Sequence, residues 1–371
     1  MKKIFTLLAT LFLGLSLASC NSSKKVEVTA SILHDTKYDS AEVSLTQNQF
    51  EKYGFKLGDS CDVTFSNGLK INDIPYFNGY YVKNGAPLIV AYPGFTNIRV
   101  TYNNLGIWTS EHLTEDMTVN IKLNKHGKYS PIQDSLGQIY SFKREDYSSD
   151  VEFCNFRSLT GGNIKENFLF RGASPVDNSR NRAPYTDRLI QEKQVKAVLD
   201  LADTTEDMLG YLSEATFSSN YTKGLYESNR VALLGMDAAY QSVNFKTKLV
   251  SGIKQIIATE GPIYIHCMEG KDRTGFVCML FEALAGATYE EMCNDYMLTY
   301  KNYYRVSKEN TLDKYNAIKE LYFDAFVSFL HNSEDINVLK NASYVEDAKS
   351  YLKEGGLTDS EVEQFRQLIS K

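Results

Sequence analysis

Two hydrophobic rhythms divide the chain. Over residues 24–125, apolar and polar positions alternate in short runs such as Val26-Glu27-Val28-Thr29-Ala30 and Ala41-Glu42-Val43-Ser44-Leu45. Period-two alternation predicts half-buried strands. Turn signals punctuate them, among them Ser66-Asn67-Gly68, Phe77-Asn78-Gly79, Lys83-Asn84-Gly85 and Tyr92-Pro93-Gly94. Asn-Gly at 67–68, 78–79 and 84–85 suits tight hairpins. The prediction is a small barrel or sandwich, with one short helix over 47–55. Residues 126–150 turn polar and read as a linker. From 151 to 371 the rhythm changes. Compact apolar runs at 198–201, 230–234 and 262–265 alternate with helical spacing at 189–196, 242–259 and 276–285. That order predicts an α/β domain, with a central, mostly parallel sheet flanked by helices and a site at the carboxyl end of a central strand.

Composition narrows the function. The chain has 371 residues, 43% hydrophobic and 23% charged, enough for two domains. A net charge of −6 offers no general attraction to nucleic acid, and no nucleic-acid partner is expected. Five scattered histidines argue against a histidine-built metal site, so neither metal nor cofactor is expected. At the N-terminus, Met1-Lys2-Lys3 precedes an apolar stretch over 4–17 that is too short to span a membrane as a mature helix. It ends in Leu17-Ala18-Ser19-Cys20 and resembles a bacterial lipoprotein signal. The resemblance implies a signal peptide over 1–19, lipidation at Cys20, and an exported protein anchored in the bacterial cell envelope. An odd set then remains, Cys61, Cys154, Cys267, Cys278 and Cys293, which leaves at least one thiol free.

The candidate chemistry lies in Ile265-His266-Cys267-Met268-Glu269-Gly270-Lys271-Asp272-Arg273-Thr274-Gly275. A strand delivers Cys267 into a short loop, and a helix starts directly after it. Loop N–H groups and the helix N-terminus then converge on one point, where an anion is stabilised. The same field favours the thiolate of a cysteine placed there. Phosphoryl transfer needs an in-line nucleophile, charge complementarity and a proton for the leaving group. Cys267 fits the first role. Arg273 offers a planar fork for two oxygens, and Met268, Glu269, Gly270, Lys271, Asp272, Arg273 and Thr274 form the cradle. Thr274 is placed to hydrogen-bond the sulfur, while His266 and Asp200 are supporting groups that orient the loop. Two carboxyls compete as general acid: Asp272 inside the loop, and Asp237 in Leu234-Gly235-Met236-Asp237-Ala238 upstream. Asp237 has a second reading as the N-cap of the following helix.

The string His-Cys-x-x-Gly-Lys-Asp-Arg-Thr-Gly resembles the loop of the atypical bacterial protein-tyrosine and lipid phosphatases, which are related to a secreted mycobacterial enzyme. Asn155-Phe156-Arg157 with Gly161-Gly162, Leu169-Phe170-Arg171-Gly172-Ala173, Asp200-Leu201 and Gly356-Leu357-Thr358-Asp359 resemble further segments of that family. The resemblance covers 151–371. It implies a cysteine-phosphatase fold with Cys267 as nucleophile, Arg273 as phosphate clamp, Asp272 as acid, and Lys271 on a second acidic group of the substrate. Ser158, Ala202 and Glu269 depart from the pattern. Glu269 sets a negative charge beside the cradle and disfavours highly charged phosphoinositides.

The leading expectation is a phosphatase acting on phosphotyrosine or related protein, lipid or small-molecule phosphoesters. The alternatives are an inositol-polyphosphate or phosphoinositide phosphatase, and an envelope binding lipoprotein with a vestigial phosphatase domain. In the second case, the aromatics Tyr76, Phe77, Tyr80, Tyr81, Tyr92, Phe95, Tyr102 and Trp108 would hold a sugar or peptide. The reading preferred for these rings is that they pack the β core and its edges.

Overall fold

The computed structural model describes residues 25–137 and 140–371. The expected signal peptide and Cys20 lie outside them. No helix among the described residues is long and apolar enough to cross a membrane.

The first domain is a closed seven-stranded barrel. Its strands are β1 (Glu27–Asp35), β2 (Ser40–Val43), β3 (Ser60–Phe65), β4 (Lys70–Phe77), β5 (Pro87–Val90), β6 (Arg99–Tyr102) and β7 (Thr118–Lys125). They run around the barrel in the order β1-β2-β6-β5-β4-β3-β7, and β1 closes on β7. The alternation works as the sequence predicts: Cys61, Val63 and Phe65 of β3 are buried while Asp62 and Thr64 are half-exposed. A helix, Gln47–Lys52, is started by a Thr46–Gln49 capping box and plugs one end of the barrel. Its Phe50 stacks on Phe55 at 4.0 Å and meets Tyr76 edge-on.

Asn67-Gly68 forms the β3–β4 hairpin, with Gly68 at φ 95°. The other two Asn-Gly pairs depart from expectation. Strands β4 and β5 pair in parallel, so residues 78–86 are a crossover connection and not a hairpin.

The second domain carries β8 (Arg157–Ser158), β9 (Leu169–Gly172), β10 (Ala197–Asp200), β11 (Val231–Leu233) and β12 (Ile263–His266), in the order β11-β10-β12-β9-β8. All pairs are parallel except the edge pair β8–β9. Strand β12 lies in the centre with all four residues buried, because helices cover both faces of a parallel sheet. The helix that follows it, Asp272–Leu284, is buried from Arg273 to Leu284.

Between the domains, residues 126–150 carry structure of their own. A helix, Ser130–Leu136, packs on the helix Leu312–Ile318. Gln133 exchanges hydrogen bonds with Asn78 of the barrel, and the Tyr129 amide donates to Gly58 O at 2.7 Å. The two domains are thereby joined along a seam.

Candidate active site

The loop after β12 is held from behind by its carbonyl groups. Ser174 N donates to Met268 O at 3.1 Å, and the Tyr303 hydroxyl donates to Glu269 O at 2.8 Å. Gly270 O accepts from Arg171 at 2.8 Å and from Asn155 at 3.1 Å. Every such bond turns a carbonyl away from the centre of the loop. The N–H groups of Met268 to Arg273 donate to no acceptor among the described residues, as an anion cradle requires. Gly270 has φ 65°, and a Cβ there would stand 2.2 Å from Gly172 O, so only glycine fits.

The donors behind the loop are themselves fixed. Arg157 Nε donates to Asp295 Oδ1 at 2.6 Å, and buried Arg171 pairs with the other oxygen of the same carboxylate. Arg157 also donates to Asn155 and Thr299. The segments around Asn155 and Arg171 entered the sequence reading only as family likenesses; their work is to position the cradle. Asp295 was missed, because one aspartate on a tyrosine-rich helix carries no sequence signal.

Cys267 and Arg273 line one cavity, with Met268, Glu269, Lys271, Asp272 and Asp237. Arg273 donates to Met236 O at 2.7 Å, which ties the clamp to the Asp237 loop. His266 lies behind the loop, its Nδ1 3.2 Å from Cys267 O and its Nε2 3.7 Å from Asp200 Oδ2. Burial pulls its pKa down to about 4, so the imidazole is neutral and orients rather than ionises. Burial pushes the Asp200 carboxyl up to about 6, against the N–H bonds it accepts from Asp203 and Ala202. Asp203, which the sequence reading passed over, is pushed up to about 8 by burial and then by the charge of Asp200. Thr274 Oγ1 is buried and has no partner among the described residues, so the expected bond to the sulfur is not made.

The two candidate acids sit differently. Asp237 Oδ1 accepts from Ala239 N at 2.8 Å in a local turn. It caps no helix, since the helix Val243–Ile256 is capped by Ser242. Asp272 opens the helix after the loop and keeps 48% of its side chain accessible, facing the cavity. Enclosure by protein pushes its carboxyl up, Glu269 adds to this, and Lys271 and Arg273 oppose it. A carboxyl that holds its proton longer is better suited to give it away.

Glu269 is not the open negative charge its position suggests. It is buried, accepts from the hydroxyls of Tyr140 and of Tyr92 (3.4 Å), and lies 3.5 Å from Arg180 and 3.9 Å from Lys271. Burial alone would push its carboxyl up, but Lys271, Tyr140, Arg180 and Arg182 outweigh that and hold it below the usual range. Its charge is paired in the seam with Arg180 and Lys271 rather than left open. Lys271 is engaged there too, with Nζ 3.5 Å from Tyr92 Oη, 3.4 Å from Tyr304 Oη and 3.6 Å from Asp272 Oδ2.

Among the described residues, Cys61, Cys154, Cys278 and Cys293 are buried and unbridged, and burial pushes Cys154 and Cys278 up to about 12, where they do not ionise near neutral pH. Among the described residues no group of three or more His, Cys, Asp or Glu is placed to hold a metal ion.

A tyrosine phosphatase family model matches residues 152–371. The chain belongs to the tyrosine phosphatase family. The match covers the α/β domain of this phosphatase and stops short of the barrel. No curated protein matches the chain. One solved structure it matches is an uncharacterized conserved protein from Thermotoga maritima, 13% identical, with a TM-score of 0.23, covering 26% of this chain and 36% of that one. The chain thus spans about a third of that protein's length, and the likeness supports no argument about this one.

The rings of the barrel correct the sequence reading in part. Tyr76 and Phe77 are buried, as preferred there. Trp108 and Tyr102 also pack on the barrel core, whereas Tyr80, Tyr81, Tyr92 and Phe95, with Tyr102, line the cavity that holds Cys267. The crossover between β4 and β5 carries both Tyr80 and Tyr81 against the second domain, where Tyr80 O accepts from the Tyr322 hydroxyl and Tyr81 packs on its core.

Proposed function

We propose that this phosphatase hydrolyses phosphomonoesters through a cysteinyl-phosphate intermediate. The observation that supports it is the loop whose carbonyls all turn outward around Cys267, with Arg273 beside it. The Cys267 thiolate attacks phosphorus; the S–P bond forms and the P–O bond to the leaving group breaks. Asp272, whose enclosure favours the protonated form, gives its proton to the departing oxygen. Water then attacks phosphorus, its proton returns to Asp272, and the S–P bond breaks to release phosphate and thiolate. Arg273 and the loop amides hold the equatorial oxygens throughout. The leader ending in Cys20 supports a lipid-anchored envelope location, and Cys20→Ala should then move the protein out of the membrane fraction.

Cys267→Ser should abolish hydrolysis of an aryl phosphate while phosphate or vanadate still binds. Retained turnover in this variant sinks the mechanism. For the acid the sign is set by its role: Asp272 acts protonated, so the rate falls as pH rises through its elevated pKa. Asp272→Asn should remove that basic limb, and Asp237→Asn should keep it. The opposite result transfers the role to Asp237.

A further inference from the structure

The cavity above the cradle has aromatic walls from both domains. On the barrel side, rings follow one another: Tyr38 to Phe95 at 5.9 Å, Phe95 to Tyr92 at 5.4 Å, Tyr92 to Tyr80 at 5.9 Å. On the phosphatase side, Tyr300 packs on Tyr304 at 5.5 Å and on Tyr322 at 6.0 Å. The Lys271 ammonium lies 5.8 Å from the ring centres of both Tyr92 and Tyr304, so the two rows flank it. The barrel row is braced from outside the cavity, since the Arg99 guanidinium sits 3.3 Å from the centre of the Phe95 ring and pairs with Asp35 at 2.8 Å.

We infer that the barrel is the substrate-selecting half of the active site, and that the site takes a free, small phosphomonoester with a flat aromatic body rather than a phosphorylated residue of a folded protein. This rests on the phosphatase reading of Cys267. Three observations carry it. The cavity is about 700 Å³, the size of a small-molecule pocket. Cys267 and Arg273, which line that cavity, are only 3% and 7% exposed. The roof is tied down across the seam where a protein substrate would have to lie: Arg180 donates to Pro93 O at 3.2 Å, the Tyr322 hydroxyl to Tyr80 O at 3.1 Å, and Lys271 meets Tyr92. The cradle supplies the charge complementary to the phosphate. The ring rows supply flat surface that rewards stacking of an aromatic body.

The test compares full-length protein on 2-naphthyl phosphate, glycerol phosphate and a folded tyrosine-phosphorylated protein. The wild type should hydrolyse the naphthyl ester at least a hundredfold more efficiently than the phosphoprotein. In the Tyr80→Ala/Phe95→Ala double variant, the ratio of kcat/KM for naphthyl over glycerol phosphate should fall about tenfold, mainly through KM. Phe95→Leu keeps the apolar bulk without the ring. It should fold with an unchanged melting profile and lower the ratio by a smaller factor. An unaltered ratio in both variants, or a phosphoprotein turned over as fast as the naphthyl ester, overturns the inference while leaving the phosphatase reading intact. Failure of the wild type on all three substrates overturns that reading, and the inference with it.

Discussion

The barrel and the α/β domain both line one cavity, and they contribute to it in different ways. The α/β side works through main chain. Its loop carbonyls are turned away by Ser174, Tyr303, Asn155 and Arg171, and its charge is focused by Arg273. The barrel side works chiefly through side-chain surface, a row of rings carried on loops. Main-chain machinery tolerates almost no substitution, because each carbonyl bond depends on the path of its neighbours. A ring wall degrades more gradually, since losing one ring leaves the area of the others in place.

That contrast can be broken from either side. The largest effect is expected on the floor. Gly270→Ala puts a methyl group against Gly172 O, so the loop must move, and kcat/KM for an aryl phosphate should fall about a thousandfold, as when preorganised oxyanion donors are lost. Loss of less than tenfold would mean the loop has a slack the contact distance denies. Next comes the barrel core. Phe50→Ala removes a fully buried ring stacked on Phe55 and should cost about 3–5 kcal/mol in chemical denaturation. Aryl-phosphate activity should be lost at the same denaturant concentration as barrel structure. Activity outlasting the barrel would make it a passenger.

A last prediction concerns the acid pair behind the loop. Asp203 titrates near 3.8 when unfolded and is pushed up to about 8 in the fold, so its contribution to stability is complete below 3.8 and lost as pH rises toward 8. The wild-type Tm should therefore decline from pH 5 to pH 8. Asp203→Asn should flatten most of that decline, leaving the smaller slope of Asp200, whose carboxyl is pushed only to about 6. A variant with the wild-type slope would place the linkage elsewhere.

How far the sequence could be read follows the same division. The cradle was plain because its chemistry demands Cys267, Gly270 and Arg273 at set separations along one continuous segment. The alternation of β3 and the apolar run of β12 announced their strands, since burial on one face or two leaves different patterns. The parallel pairing of β4 with β5 was hidden, because Asn-Gly signals a turn wherever it falls and says nothing about which strand the chain rejoins. The roof was hidden for the same reason. Tyr80 and Tyr76 are four residues apart and look alike, yet one faces the cavity and the other fills the barrel core. The pairing of Glu269 was hidden because its partners, Tyr92, Tyr140 and Arg180, come from three separate segments.

The closure of β1 on β7 has a consequence in time. During synthesis, residues 27–31 wait for 118–122 before they can pair. Once Lys125 has been made, every strand of the barrel exists, whereas the second sheet still lacks all five of its own. Domains fold as units and the N-terminal one first, at about 5–20 residues per second, so the barrel has several seconds in which to close alone. The loop containing Cys267 is then assembled against a wall that is already standing.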